Sequence, residues 1–311
     1  MEAALTRSRS VALSAAIALG AAAAPAGDLP AKQSDLLAKL RARIEAVDAR
    51  LDGVLGVYVR DLESGVTIEV RADEAFPTAS SIKLAVLYEV YRQAEEGRID
   101  LSEATRPPAP RVQGGGVLQE LGDRVTLTWR DLAVLMMGWS DNEATNLLVR
   151  RVGLEAVNRR LDGLGLPRTR LRRLMMDLEA ARRGDENVST PREIARLAEI
   201  VAQGTGLAPD RARDALAVAT IPDEGSPFRR SLPEGTRAIS KPGALEGVRC
   251  EAAWVDVPGR PYVAAIMTAY LQREKDGEEA IAEISAVLYE TFDRLARASE
   301  FGRIISDRVT K

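Results

Sequence analysis

Residues 78–87 read Thr-Ala-Ser-Ser-Ile-Lys-Leu-Ala-Val-Leu, so the chain passes here from small polar residues to apolar residues at helical spacing. This change predicts a helix that begins near Ser80. Because Ser80 and Lys83 are three residues apart, their side chains lie on one face of that helix, about one turn from each other. A hydroxyl beside an amine at the positive end of a helix is an arrangement in which serine can act as a nucleophile. Lys83 can serve as its base only when neutral, which requires burial or nearby cations.

The composition limits the possible chemistry. The chain has 311 residues, of which 46% are hydrophobic and 29% charged, and its net charge is -3. These values are ordinary for a globular protein, and the absence of a basic stripe argues against a nucleic-acid partner. There is no histidine, which excludes a Ser-His-Asp triad and any His-ligated metal. The single cysteine, Cys250, cannot form an intrachain disulfide and is interpreted as a strand residue. The sequence therefore predicts no metal site and no cofactor.

The N-terminal residues have the pattern of a secretory signal. Arg7 and Arg9 form a basic start, residues 11–24 are apolar, and Ala22 and Ala24 resemble a small-residue cleavage site. The alternative is an Ala-rich tail without a targeting role. The apolar run is too short to span a bilayer comfortably, so we expect no stable membrane anchor. The sequence thus predicts a signal peptide over residues 1–26, a periplasmic or secreted product and a monomer.

Hydrophobic periodicity divides the remaining chain into three parts. Residues 32–50 have helical spacing, and residues 54–61 and 66–71 form a predicted hairpin. The middle of the chain is helical, strand patterns return after residue 236, and a last helix is predicted at about 277–296. The predicted fold is α/β (α+β): an antiparallel sheet flanked by N- and C-terminal helices, with an inserted all-helical subdomain. The α/β part covers about 32–77 and 222–311, the helical part about 78–221, and the active site is expected between them.

Two further short runs, taken together with the stretch around Ser80, indicate a catalytic site. Residues 140–142 read Ser-Asp-Asn between two predicted helices, and residues 241–243 read Lys-Pro-Gly at the end of a predicted strand. Each run alone is an ordinary turn or cap, and Ser-x-x-Lys alone is a weak signal. In this order, however, they match the set Ser-x-x-Lys, Ser-Asp-Asn and Lys-Thr-Gly of class A β-lactamases and penicillin-binding proteins.

The chain resembles class A β-lactamases and their serine-hydrolase relatives over nearly all of residues 27–311. Further segments similar to the family are Gly-Gly-Val-Leu-Gln at 115–119, Leu-Thr-Trp-Arg-Asp-Leu at 127–132 and Ser-Thr-Pro at 189–191. The resemblance implies that Ser80 is acylated, that Lys83 is its proton partner and that Ser140 relays a proton to the leaving nitrogen. It implies substrate binding by the following residues: Asn142, Lys241, Gly243, Ala244 and Arg249. The backbone N–H groups of Ser80 and Ala244 would form the oxyanion hole.

Two departures from the family pattern bear on turnover. Pro242 replaces threonine and offers neither a hydroxyl nor a backbone N–H for a substrate carboxylate. The family's Glu-x-x-Leu-Asn, whose glutamate activates the deacylating water, is absent from the loop before residue 190. Asp177 or Glu179 could substitute for this glutamate as catalytic base, or both could be ordinary loop carboxylates that pair with nearby arginines. The sequence therefore predicts acylation with slow hydrolysis.

Three functions remain open at this level. The first is an exported serine hydrolase that is acylated by β-lactams at Ser80 and hydrolyses their amide bond, slowly. The second is a D,D-peptidase that acts on peptidoglycan stem peptides, and the third is a penicillin-binding sensor that keeps the acyl adduct. In each case the partner is a small-molecule β-lactam or a peptidoglycan peptide.

Overall fold

The computed structural model describes residues 30–299 and 301–305, so the predicted signal peptide lies outside the described residues. Within these ranges the strands are β1 (Val54–Asp61), β2 (Thr67–Val70), β3 (Phe76–Pro77), β4 (Ala104–Thr105), β5 (Leu127–Thr128), β6 (Val188–Ser189), β7 (Ala238–Leu245), β8 (Val248–Val255) and β9 (Tyr262–Ala269). The α-helices there are α1 (Ala31–Arg50), α2 (Lys83–Glu95), α3 (Trp129–Gly138), α4 (Asn142–Val152), α5 (Leu154–Gly163), α6 (Leu178–Arg182), α7 (Pro191–Gln203), α8 (Pro209–Ala219), α9 (Pro227–Arg230) and α10 (Glu274–Ala296). Two 3-10 turns cover Ala79–Ile82 and Leu118–Glu120.

The main sheet has the strand order β2-β1-β9-β8-β7, and each neighbouring pair is antiparallel. Side chains alternate between its two faces. Ala253 and Ile266 pack on the face covered by α1, α9 and α10, whereas Ala252 and Ala265 pack on the face toward the helical part. The predicted antiparallel sheet between terminal helices, with a helical insertion, is confirmed.

Strand β7 continues further than the sequence pattern indicated. The prediction ended the strand near Ser240, but the pairing with β8 runs through Pro242 and Gly243 to Leu245. A proline interrupts a strand in the interior of a sheet but is tolerated at an edge, where its nitrogen can face away from the neighbouring strand. β7 is such an edge strand, so residues 241–244 lie in regular extended backbone beside the helical part.

The helical part is organised around α2. Every residue from Lys83 to Tyr91 in this helix is buried, and it packs against α4, α5, α7 and α8. Because α2 begins directly after the 3-10 turn that carries Ser80, the core of the helical part fixes the position of that serine. Among the residues that the structure describes, no helix is both long and apolar enough to cross a bilayer.

Candidate active site

Ser80 lies in a strained turn at the start of α2. The turn Ala79–Ile82 is a 3-10 helix, and Ala79 has a φ of +44°, which a residue with a side chain rarely adopts. Two hydrogen bonds at Thr78 fix the start of the turn. The N–H of Thr78 donates to the carbonyl of Asn187 (2.9 Å), and Ser81 Oγ donates to the carbonyl of Thr78 (2.8 Å). Such strain persists only where the surroundings impose it, and it is common at functional sites.

Strands β7 and β8 press against this turn. Cys250 Sγ donates a hydrogen bond to the carbonyl of Thr78 (2.9 Å), and burial raises the pKa of the Cys250 thiol to about 12, so the thiol is neutral. A Cβ at Gly243 would lie 2.5 Å from both the Thr78 carbonyl and Cys250 Sγ. The absence of a side chain at Gly243 therefore allows β7 to lie close to the turn that carries Ser80. The hydrogen bond from Cys250 links this turn to β8.

Lys83 is fully buried and bonded to the second motif. Its Nζ donates to the carbonyl of Ser140 (2.6 Å), to Ser140 Oγ (3.1 Å) and to Asn142 Oδ1 (3.1 Å). Burial holds the pKa of Lys83 well below its usual range, and the charge of Lys241 lowers it further, against the opposing effect of Asp141 and Asp223. The neutral form of a lysine can accept a proton from a hydroxyl, and the lowered pKa makes that form more accessible.

The turn at residues 140–142 is held by its own side chains. Ser140 has a φ of +51°, and Asp141 caps α4 by accepting from the N–H of Ala144 (2.8 Å). The other carboxylate oxygen of Asp141 accepts from the N–H of Leu118 (2.8 Å), and Asn142 Nδ2 donates to the carbonyl of Gly114 (3.0 Å). These bonds hold the turn against the loop at residues 114–118, and they orient the Ser140 hydroxyl toward Lys83.

Lys241 is the second buried lysine of the site. Its side chain is fully buried on β7, and Nζ donates to Asp223 Oδ2 at 2.7 Å. Burial lowers the pKa of Lys241, while the Asp223 carboxylate acts in the opposite direction. Lys241 therefore places a cation beside the cleft, with Asp223 as its counter-ion, and a cation at this position favours an anionic substrate.

Ala244 lines the cleft together with Ser80. The nitrogen of Pro242 has no hydrogen, so on an edge strand it faces outward, and the amide two residues further along faces the same way. We therefore expect the N–H of Ala244 to point from the free edge of β7 toward Ser80, where it can serve as a donor to an oxyanion.

The loop between Arg170 and Val188, here called the cleft loop, places methionine at the cleft. The two ends of the loop pair with each other, and Asn187 Oδ1 accepts from the N–H groups of Arg172 (2.7 Å) and Arg173 (3.0 Å). Met175 is clamped by Asn146, whose Oδ1 accepts from the Met175 N–H (2.8 Å) and whose Nδ2 donates to its carbonyl (3.1 Å). Its side chain is buried and lines the cleft.

Neither candidate base from the sequence faces Ser80. Asp177 caps α6 by accepting from the N–H of Ala180 (2.9 Å), Glu179 lies in the first turn of that helix, and both are exposed. Of the described residues that line the cleft, none is an aspartate or a glutamate. The capping role of Asp177 accounts for its direction, because the side chain turns back to the helix that it begins.

Replacing Asp177 by asparagine, or Glu179 by glutamine, is expected to leave the lifetime of an acyl adduct within about twofold of the parent, as for other exposed substitutions. Asparagine caps a helix as well as aspartate does, so the first change removes charge without removing the cap. The measurement is the decay of the acyl-protein mass after free penicillin is removed. A severalfold longer lifetime in either variant would identify that carboxylate as the base after all.

Arg249 lies beside the site but points away from it. Its Nε donates to Glu278 on α10 (3.0 Å), and its Nη1 donates to the carbonyls of Leu245 (3.0 Å) and Val248 (2.8 Å). It is not among the described residues that line the cleft. The structure thus brings together Ser80, Lys83, Ser140 and Asn142, with Lys241 and Ala244 on β7. Arg249 lies on β8 and is turned toward α10.

The cleft has a volume of about 180 Å³. Exposed apolar side chains form part of its wall: Trp139, Met176 and Leu178. It thus combines a nucleophile, an adjacent buried cation and amide donors with a partly apolar mouth, a composition suited to a small anionic molecule with an apolar group.

Sequence reasoning missed the residues that orient this machinery. Asp223, the counter-ion of Lys241, follows a proline in the segment between α8 and α9, and Asn146 and Asn187 shape the cleft loop. Lys241 gave an indirect signal for Asp223, since a cation that is removed from water requires a partner. The two asparagines gave no signal, because their contacts join segments 29 and 14–15 residues apart.

Comparison with known proteins gives one family. The profile described as "Beta-lactamase enzyme family" matches residues 39–292. A β-lactamase of Streptomyces cellulosae is 33% identical over 276 residues, covering 82% of this chain and 85% of the relative. A solved β-lactamase from Sphaerobacter thermophilus is 31% identical with a TM-score of 0.74, covering 82% and 97%. The solved structure of PBP-A is 28% identical with a TM-score of 0.75, covering 83% and 97%, and a variant of PBP-A was captured as its acyl-enzyme complex with penicillin G.

Proposed function

Since the chain belongs to the β-lactamase enzyme family and is a serine β-lactamase-like hydrolase, we propose that it is acylated by β-lactams at Ser80 and releases the product slowly. One observation carries the acylation step: Ser80 lines a cleft beside the buried Lys83, which is hydrogen-bonded to Ser140 Oγ. This is the constellation of nucleophile, base and proton relay that opening a cyclic amide needs.

The proposed reaction begins with proton transfer from Ser80 Oγ to neutral Lys83. The oxygen attacks the lactam carbonyl, and the N–H groups of Ser80 and Ala244 stabilise the oxyanion. The lactam C–N bond then breaks, and its nitrogen takes a proton from Ser140, which is replenished from Lys83 through their hydrogen bond. Lys241 attracts the carboxylate of the substrate, and Asn142 binds its side-chain amide. Water must finally cleave the acyl ester.

Slow release is supported by the composition of the cleft wall. Deacylation needs a base within hydrogen-bond reach of the attacking water. The cleft loop presents Met175 and Met176 there, and no carboxylate is found among the described residues of the lining. Because the described lining offers no carboxylate for rapid release of a β-lactam, a D,D-peptidase that acts on peptidoglycan stem peptides stays as a second candidate.

Export is part of the proposal. It is supported by the signal-like pattern of residues 1–26, with the basic Arg7 and Arg9 followed by the apolar run. We propose a periplasmic or secreted, monomeric enzyme that meets β-lactams outside the cytoplasm.

Time-resolved intact-mass spectrometry with benzylpenicillin tests the function. We expect a single adduct that forms quickly, persists after free penicillin is removed, and maps by peptide digestion to Ser80 and not to Ser81 or Ser140. Heat-denatured protein is the matched control and should carry no adduct. Absence of an adduct on the native protein would contradict the proposal. Release of D-alanine from a D-alanyl-D-alanine peptide at a higher rate than the hydrolysis of benzylpenicillin would favour the peptidase.

A further inference from the structure

A buried carboxyl group lies behind the strand that carries Lys241. Glu251 on β8 pairs with Pro242 on β7 and is almost fully buried. Because side chains alternate along a strand, Glu251 points to the face of the sheet opposite to Lys241, toward α9 and α10. It belongs to none of the motifs identified in the sequence, and the reaction described above does not use it.

Three oxygens form a closed triangle at this place. Glu251 Oε1 lies 2.7 Å from Ser240 Oγ and 2.9 Å from Ser226 Oγ, and the two hydroxyl oxygens are 2.7 Å apart. Each distance is that of a hydrogen bond and needs one proton. The two serines supply two protons, and the N–H of Arg229 occupies a further lone pair of Ser226 (2.8 Å) without closing the triangle. The third proton must come from Glu251.

The second oxygen of Glu251 points to the same protonation state. Oε2 is buried and has no hydrogen-bond partner among the described residues. An ionised carboxylate would place negative charge on this uncompensated oxygen, whereas the carbonyl oxygen of a neutral acid costs much less to bury. Burial raises the pKa of the Glu251 carboxyl to about 7, although the hydroxyls of Ser240 and Ser226 and the charge of Lys241 act in the opposite direction.

The charged groups around Glu251 are few. From the cleft side Lys241 and its partner Asp223 act on it, and the neighbouring Cys250 thiol is neutral. The guanidinium of Arg229 on α9 is turned to the carbonyl of Ala238 (3.2 Å). The buried residues of α10 are uncharged, and their polar members are Ser285, which donates to the carbonyl of Phe228 (2.8 Å), and Thr291. Glu278 on the same helix is paired with Arg249 of β8 (3.0 Å). Ionisation of Glu251 would therefore chiefly lower the positive electrostatic potential around Lys241.

We propose that Glu251 is a neutral carboxylic acid in the folded protein at mildly acidic pH, and that its proton preserves the positive potential of Lys241 for an anionic substrate. Glu251 is in this sense a positioning residue that acts through Lys241 and through strand β7. When it loses its proton, the triangle loses one hydrogen bond, and a negative charge behind the strand offsets the cation that attracts the substrate carboxylate. The effect on acylation rests on the proposed function, but the protonation state does not.

The protonation state is tested by Glu251→Gln, with Glu246→Gln as the control in the exposed turn between β7 and β8. Glutamine is neutral at every pH and keeps one acceptor and two donors. Infrared difference spectra should show the C=O stretch of a protonated carboxylic acid at pH 6 in the parent and in Glu246→Gln, and not in Glu251→Gln.

Unfolding supplies a second readout of the same proton. Because the pKa of Glu251 is higher in the folded than in the unfolded state, its proton stabilises the fold fully below about pH 4.5, and this contribution is lost as the pH rises to about 7. Over this window the unfolding constant of the parent should rise by about 10²-fold relative to Glu251→Gln, by the size of the shift. Absence of the infrared band, or a ratio that does not change with pH, would overturn the proposal.

The influence on Lys241 is tested with a matched pair of substrates, benzylpenicillin and its uncharged methyl ester. From pH 6 to pH 8, acylation by benzylpenicillin should fall in the parent relative to Glu251→Gln through a higher apparent KM, and acylation by the ester should not. Equal pH profiles of the two proteins with benzylpenicillin would overturn the positioning role. A parent that is not acylated at all would contradict the proposed function, while the infrared and unfolding measurements would still decide the state of Glu251.

Discussion

Replacing Lys83 by methionine is expected to slow the acylation of Ser80 by benzylpenicillin by about 10²–10⁴-fold, the usual contribution of a general base. The amine of Lys83 is bonded to the Ser140 hydroxyl and lies in the core of the helical part, so its loss removes both the acceptor for the Ser80 proton and the relay to the leaving nitrogen. Methionine fills the volume of the lysine stem without a charge, and a buried charge is itself costly. The fold should therefore survive the change.

The pH dependence separates this role from a structural one. Burial lowers the pKa of Lys83, and the neutral amine is the active form, so acylation by the parent should rise with pH through a midpoint below the ordinary lysine range. This rise should be absent from Lys83→Met. Lys275→Met, at a lysine whose side chain is 80% exposed on α10, is the control and should keep the parent profile. Acylation by Lys83→Met at the parent rate would mean that another group takes the Ser80 proton.

The sequence predicted the fold well because the elements that define it are long and regular. The helices α1 and α10 carry a clear apolar period, and the strands of the main sheet are apolar or β-branched runs, so their existence followed from local pattern alone. The short elements were missed: α6 is five residues long and α9 four. Such elements are stabilised by caps and by tertiary contacts, such as Asp177 on α6 and Ser226 on α9, and not by a period that a sequence can display.

The site could be predicted only where a local motif carries it. Ser80 with Lys83 and the run at residues 140–142 are local, and the structure places them together. The partner of Lys241 and the direction of the Asp177 side chain depend on how distant segments meet. Asp177 stood near the expected position of a base along the chain, yet its carboxylate caps α6. Sequence spacing fixes the backbone position of such a residue, whereas the competition between a cap and the cleft decides its direction.

Met175 is one of the cleft-loop residues that line the cleft, and unlike Met176 and Leu178 it is buried. Asn146 holds its backbone from both sides, at the N–H and at the carbonyl, so the direction of the side chain is fixed by the backbone and not by the chemistry of the thioether. We expect a polar side chain of similar length at this position to follow the same path into the cleft that Ser80 and Asn142 line. This makes position 175 the place where a base for deacylation can be added without moving the loop.

Replacing Met175 by glutamate is therefore expected to speed the decay of the penicilloyl adduct by about 10–10²-fold, somewhat below the full contribution of a well-placed base because the water site is not optimised. Met175→Gln is the matched control, since it has the same length and polarity but cannot accept a proton from water, and its adduct should decay at the parent rate. The measurement is the loss of acyl-protein mass after free benzylpenicillin is removed, followed from pH 5 to pH 8. The gain should appear as the new carboxyl ionises and should leave the acylation rate nearly unchanged. Equal decay of the glutamate and glutamine variants would show that the cleft holds no water within reach of position 175, and that release is limited by solvent access and not by a missing base.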